Sequence, residues 1–195
     1  MAIVLAGGRS RRMGRDKALL PVNGLPLLQQ VCRVASACTQ TTYVVTPWPD
    51  RYRHLPLGGQ FIPEDPDTAC GPLAGFALGL QQVTADWVLL LACDLPCLDA
   101  DSLRQGIAQL DRVGDDRIAL LHRSERGWEP LCGFYRTSCL ASVQAFLHEG
   151  GRSFQMWLAG ESPQEWDINK PQLFFNCNTP ADWARLRSVP RLKRL

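Results

Sequence analysis

The stretch Ile3–Lys17 reads IVLAGGRSRRMGRDK, and the rest of the chain is organised around it. Ile3, Val4 and Leu5 form an apolar run too short for a helix and continuous enough for a buried strand. The run stops at Gly7-Gly8, where a backbone without Cβ atoms turns sharply and lies close to a ligand. Arg9, Arg11, Arg12, Arg15 and Lys17 follow, with Asp16 the single acid among them. N–H groups of a glycine turn at a strand end, then a dense set of cations, suit a polyphosphate, whose oxygens need fixed dipoles and neutralising charge.

Two familiar nucleotide motifs do not fit. The dinucleotide fingerprint needs G-x-G-x-x-G, whereas these glycines are adjacent and arginines follow them. The P-loop needs G-K followed by Ser or Thr, whereas Gly14 precedes Arg15 and Lys17 precedes Ala18. What remains, LAGG-R-S-R-R-MG-R-DK, resembles the signature of the nucleotidyltransferases with a Rossmann-like fold. Among these it is most similar to the molybdenum cofactor guanylyltransferases, with their LAGG-x-S-x-RMG-x-DK. The resemblance implies nucleotide contacts at Leu5, Ala6, Gly7, Gly8 and Lys17, with Arg12 and Lys17 acting on the triphosphate.

The chain has 195 residues, which favours one domain with a sizeable core. Hydrophobic residues make up 46% and charged residues 21%, an ordinary soluble composition. A net charge of +2 does not point to nucleic acid. Positive charge is local, in the glycine-arginine stretch and in a tail with Arg185, Arg187, Arg191, Lys193 and Arg194, read as a solvated terminus. The longest apolar run, Trp87–Cys93, is strand-sized rather than membrane-spanning. The first residues run straight into the glycine turn, unlike a signal peptide, so a cytoplasmic protein is expected. Eight cysteines are scattered without a C-x-x-C pair, which favours buried thiols over zinc ligation or a disulfide framework.

Along the chain, Pro21–Gly24 reads as a turn and Leu25–Ala37 as an amphipathic helix. Strands are expected at Tyr43–Thr46, Gln60–Ile62, Trp87–Ala92, Arg117–His122, Leu131–Tyr135 and Leu173–Phe175. Helices are expected from Gly71-Pro72, over Ala100–Leu110 and Ser138–His148, and after Thr179, a good N-cap followed by Pro180. Small residues Gly75 and Gly79 mark a helix that packs closely on a ligand or on the sheet. This alternation predicts a three-layer α/β fold, with a mostly parallel central sheet and ligands at the carboxyl ends of its strands. Trp87–Ala92, the most apolar strand, belongs at its centre. The resemblance divides the domain into a nucleotide-binding half, about 1–110, and a pterin half, about 111–188.

Asp94 closes the central strand, so its carboxylate stands at the ligand edge, with Pro96 stiffening the turn. One such carboxylate beside phosphate oxygens suits Mg²⁺. Cys93-Asp94-Leu95-Pro96 is similar to the family's C-D-x-P, whose aspartate binds nucleotide-associated Mg²⁺. Gly71-Pro72-Leu73-Ala74-Gly75 resembles its GPLAG beside the nucleotide, and Asp65 corresponds to its nucleotide-contacting aspartate. Asn176 and Asn178 lie in a similar N-x-N-T-P near the pterin side. Thr46 stands where the family often carries an asparagine that helps read the base. Glu129-Pro130-Leu131 and Arg152 are further candidates for the pterin side.

The resemblance implies transfer of GMP from GTP to the phosphate of molybdopterin or the molybdenum cofactor, with release of pyrophosphate. Molybdenum-insertion proteins and acceptor molybdoenzymes are the implied partners. Lys17 lies on an exposed loop in this reading, so its loss is expected to spare folding. His54, His122 and His148 fall in no motif and read as structural. Alternatives are a cytidylyltransferase on the same cofactor, a sugar-phosphate nucleotidyltransferase, and a pterin carrier without chemistry. A carrier would need neither Lys17 nor Asp94.

Overall fold

Ala2–Leu5, the apolar run that opens the chain, forms β1 inside a seven-stranded sheet. The computed structural model describes residues 1–8, 15–67 and 70–188. Arg9, Arg11, Arg12 and the tail residues Arg191, Lys193 and Arg194 lie outside the described residues. After β1 come a short hairpin, β2 (Pro21–Val22) and β3 (Leu25–Pro26), and helix α1 (Leu27–Ser36). Then follow β4 (Thr42–Thr46), α2 (Pro49–Tyr52), β5 (Gln60–Pro63), α3 (Pro72–Leu80) and β6 (Trp87–Ala92). The later part adds α4 (Ala100–Ile107), β7 (Ala119–Ser124), β8 (Gly127–Arg136) and α5 (Leu140–His148). It closes with α6 (Phe154–Ala159), β9 (Pro163–Glu165) and α7 (Pro180–Ser188).

The sheet order is β5-β4-β1-β6-β8-β7-β9, which puts the most apolar strand in the middle as expected. β5, β4, β1 and β6 are parallel, β8 runs antiparallel between β6 and β7, and β9 is parallel to β7. The sheet is therefore mixed and mostly parallel. Alternation along β1 serves both faces. Ala2 and Val4 pack with Leu27, Leu28 and Val31 of α1 on one side, and Ile3 and Leu5 with Leu73 and Phe76 of α3 on the other. Ile3 and Val4 are fully buried, and each such side chain stabilises by about 1.5–3 kcal/mol. Burial thus fixes β1, and the glycine turn is held where β1 ends. A Cβ on Gly79 would meet Ile3 at 2.9 Å, so the small face of α3 lies directly on the sheet.

Several boundaries depart from the sequence reading. The first helix begins at Leu27 rather than Leu25, because Leu25–Pro26 pairs back onto Pro21–Val22. Asn23 and Gly24, at φ 50° and 81°, close that tight hairpin. The strand expected at Leu173–Phe175 is corrected to a 3₁₀ turn, Pro171–Phe174. Pro171 has no N–H for a ladder, and the Leu173 N–H donates to the Lys170 carbonyl. Leu173 and Phe174 are buried, so their apolar character reflects packing, not sheet pairing. β8 starts at Gly127, well before the expected Leu131, and α2, α6 and β9 are too short to stand out in the sequence.

Candidate active site

Because β5, β4, β1 and β6 are parallel, their carboxyl ends open onto one edge. A cleft of about 550 Å³ runs along it. Leu5, Ala6, Gly7, Gly8, Lys17, Gly71, Asp94 and Asn178 all line it, joined by Asp16, Trp48, Tyr52 and Glu64. Asn176 is half-buried in an adjoining groove. Asp65 is outside the lining. It is exposed, and its Oδ1 accepts the Asp67 N–H at 3.0 Å, a local turn. Its neighbour Glu64 faces the cleft instead.

Lys17 ties the two ends of the sequence together. Its Nζ donates to Asp94 Oδ2 at 3.1 Å and to Asn178 Oδ1 at 2.7 Å, across 77 and 161 residues of chain. The Lys17 and Asp94 side chains are only 16% and 14% exposed, which corrects the expectation that Lys17 lies on an exposed loop. The Asp94 carbonyl accepts the Cys177 N–H at 3.0 Å, fastening the N-x-N-T-P segment to the end of β6. That segment is fixed in turn by reciprocal capping. Thr179 Oγ1 accepts the Asp182 N–H, while Asp182 Oδ2 accepts the N–H groups of Asn178 and Thr179.

Asp16 and Tyr52 position the lysine. Asp16 Oδ1 accepts the Ala18 N–H at 3.0 Å, capping the short 3₁₀ turn that carries Lys17. Its Oδ2 accepts the Tyr52 hydroxyl at 2.8 Å. Burial, reinforced by Asp16, pushes the Tyr52 phenol well above its ordinary value, so it remains the donor. Tyr52 carried no sequence signal, since it lies on a single helical turn far from any motif.

Thr46 is buried, and its hydroxyl donates to the Ala6 carbonyl at 2.9 Å and accepts the Trp48 N–H at 3.2 Å. The Leu5 carbonyl accepts the Cys93 N–H at 3.0 Å. Thr46 therefore fastens β1 to β4. Glu64 sits against the glycine turn, with Oε2 2.9 Å from where a Cβ on Gly7 would stand. Burial raises the Glu64 carboxyl above its ordinary range.

Among the described residues, no group of three or more His, Cys, Asp or Glu could cage a metal ion. Asp94 is instead a single carboxylate at the cleft edge, a donor that could hold a metal ion carried in with phosphate oxygens. All eight cysteines are free thiols. Burial pushes Cys32 and Cys139 up to about 12 and Cys177 to about 11, so these thiols stay protonated. Arg152 donates to the Leu147 carbonyl at the end of α5. No described helix is long and apolar enough to cross a membrane.

Residues 2–163 match the family model described as a MobA-like NTP transferase domain. A Nostoc protein named "Probable molybdenum cofactor guanylyltransferase" is 55% identical over 184 residues, 94% of this chain and 88% of its own. A Burkholderia vietnamiensis protein named molybdenum cofactor guanylyltransferase is 30% identical, over 97% of this chain and 94% of its own. Among solved structures, molybdopterin-guanine dinucleotide biosynthesis protein A from Archaeoglobus fulgidus superposes with a TM-score of 0.78 at 24% identity, covering 95% of both chains. A Thermus thermophilus 2-C-methyl-D-erythritol 4-phosphate cytidylyltransferase gives 0.72 at 15% identity, covering 98% of both, so this fold is not confined to guanylyl transfer. With the matched domain spanning most of the sequence and a relative at 55% identity, this chain belongs to the MobA-like NTP transferase family.

Proposed function

We propose that this protein transfers GMP from GTP to the terminal phosphate of molybdopterin, or of its molybdenum-loaded form, to make the guanine dinucleotide cofactor. The observation that carries this is the contact of Lys17 with both Asp94 and Asn178 at the cleft edge, in a chain 55% identical to a protein named as such a transferase. The acceptor is a phosphate monoester with a second pKa of about 6, ionised at neutral pH, so no general base is needed. An acceptor oxygen forms a bond to the α-phosphorus of GTP, the bond from that phosphorus to the bridging oxygen breaks, and pyrophosphate leaves.

Two anions must approach each other, so the protein's main task is neutralisation and alignment. Lys17, with Arg12 and the N–H groups of the glycine turn, holds the triphosphate. Asp16 and Tyr52 keep Lys17 aimed. Asp94 would hold Mg²⁺, which supplies charge neutralisation at the phosphate oxygens. Asn176 and Asn178 take the acceptor side. At the other end of the cleft, the Glu64 carboxylate and the second lone pairs of the Leu5 and Ala6 carbonyls offer acceptors for guanine's adjacent N1–H and 2-amino donors. In this reading residues before about 110 hold the nucleotide and those after it the pterin. The work is done in the cytoplasm, and the product passes to molybdenum-insertion proteins and acceptor molybdoenzymes.

The test is incubation with GTP, Mg²⁺ and molybdopterin, followed by chromatography of the pterin products. The guanine dinucleotide is expected, with one pyrophosphate released for each. Release of pyrophosphate without a dinucleotide, or no release at all, would refute the reading.

A further inference from the structure

Between β7 and β8 the pairing slips. Leu121 pairs with Gly133 and Arg123 with Trp128, so Glu129, Pro130, Leu131 and Cys132 stand opposite the single residue His122. Bulges of this kind re-aim side chains beside active sites. Here the bulge falls at the ligand edge. Cys132 faces Leu91 of β6, so Glu129–Leu131 run on past that pairing on the side where Asp94 stands. Tyr135 pins the bulge, its hydroxyl donating to the Pro130 carbonyl at 2.8 Å.

The four bulged residues line a groove of about 80 Å³ together with Phe174 and Asn176. Leu131 lines both this groove and the main cleft. Phe174 is backed by His122, stacked on it at 4.3 Å. The buried His122 Nδ1 has no hydrogen-bond partner among the described residues, and no ion pair or hydrogen bond engages the Glu129 carboxylate there.

We infer that this groove seats the pyrimidine edge of the acceptor's pterin ring, with the Glu129 carboxylate accepting its N3–H and 2-amino groups. The inference rests on the proposed reaction and assigns a place to its second substrate. A pterin presents these two donors side by side, and a carboxylate offers two acceptor oxygens to match. Pro130 and Phe174 supply apolar walls for a flat ring. A volume of about 80 Å³ takes only the edge of the ring, leaving the rest directed toward the cleft. Guanine shares the same donor pair, but position separates the two. The glycine turn follows β1 and Glu64 follows β5, both on the far side of β6 from β8. A base held near the glycine turn and Glu64 and a pterin held at β8 would therefore occupy opposite flanks of the site.

The test uses the full chain and two fluorescent probes, 6-hydroxymethylpterin and 6-hydroxymethyllumazine. Lumazine carries a 2-oxo group, which would face the carboxylate with an acceptor. The wild type is expected to bind the pterin at least about tenfold more tightly. Glu129→Gln should erase that preference while leaving GTP affinity and the melting temperature within error. In turnover with molybdopterin, it should raise KM for molybdopterin by about tenfold and leave KM for GTP unchanged. No pterin preference in the wild type, or a preference that survives Glu129→Gln, overturns the inference. Weakened GTP binding in Glu129→Gln would mean that the groove holds guanine, and overturns it too. Failure of the wild type to transfer GMP to molybdopterin refutes the proposed reaction instead, because the probe titration does not depend on turnover.

Discussion

The four parallel strands before residue 93 and the three strands after residue 118 meet at one edge, but they reach it differently. In the first group each functional group follows directly from a strand end: Gly7 after β1, Glu64 after β5, Asp94 after β6. In the second group the edge is reached by a strand running backwards, with a bulge, and by an irregular segment after Phe174. The first supplies charge and backbone dipoles. The second supplies walls, built over buried Phe134, Tyr135 and Trp166. A phosphate chain needs fixed point charges, which stiff strand ends hold well, whereas a flat ring needs a shaped surface, which side-chain packing provides.

This contrast predicts separable defects: changes in the first group should weaken chemistry and nucleotide handling, and changes in the second only the acceptor. The largest effect is expected at Lys17. Lys17→Ala removes the cation proposed to hold the reacting phosphates and should cut pyrophosphate release by about 10²–10³-fold. It also strips Asp94 of its partner in a mostly buried setting, so stability should fall by about 1–3 kcal/mol in urea unfolding. An unchanged urea midpoint would mean that the pair is not structural. Asp94→Asn should lower turnover by about 10²-fold or more, with loss of its Mg²⁺ dependence. A metal titration identical to wild type would move the metal elsewhere.

A smaller loss tests positioning. Tyr52→Phe removes only the hydroxyl that anchors Asp16, and about 1 kcal/mol from that hydrogen bond corresponds to a fivefold to tenfold drop in kcat. An equal drop in Asp16→Asn, with no further loss in the double variant, would show one shared route to Lys17. The smallest effect concerns Glu64. Its carboxyl is raised above the ordinary value of 4.5 by burial, so between that value and its folded pKa the folded state holds a proton that the unfolded state has released. Stability contributed by that proton is present below about pH 4.5 and is lost as pH rises through the folded pKa. Glu64→Gln should therefore match wild type in acid and melt slightly higher at neutral pH. Equal melting at both pH values would mean that burial does not penalise the ionised Glu64 side chain.

The same contrast explains what was legible in the sequence. Gly7-Gly8, Lys17, Gly71-Pro72 and Asp94 could be read because glycine, proline and charge at a strand end each impose a local constraint. The central place of β6 followed from its apolar run. Tyr52 could not be read, because its role exists only once β4 and the Lys17 turn are brought together. Asp65 and Glu64 are adjacent acids, and only the packing of Glu64 on Gly7 separates the one facing the cleft from the one facing solvent. The bulge at Glu129–Cys132 was hidden because Pro130 reads as a loop residue when its antiparallel partners are unknown. Leu173–Phe175 misled for the opposite reason, its apolar residues serving the core without a ladder.

In the proposed reaction guanosine, not cytidine, is carried to the pterin phosphate at the charged edge around Lys17 and Asp94. The most direct measurement is competitive turnover, with GTP and CTP together, Mg²⁺ and limiting molybdopterin, and the two dinucleotide products separated and counted. Cytosine offers one fewer donor to the acceptors near Gly7, and each acceptor left unpaired costs about 1–3 kcal/mol. The guanine product should therefore exceed the cytosine product by about tenfold to a hundredfold. Equal amounts of the two products, or an excess of the cytosine product, would show that the edge does not select guanine.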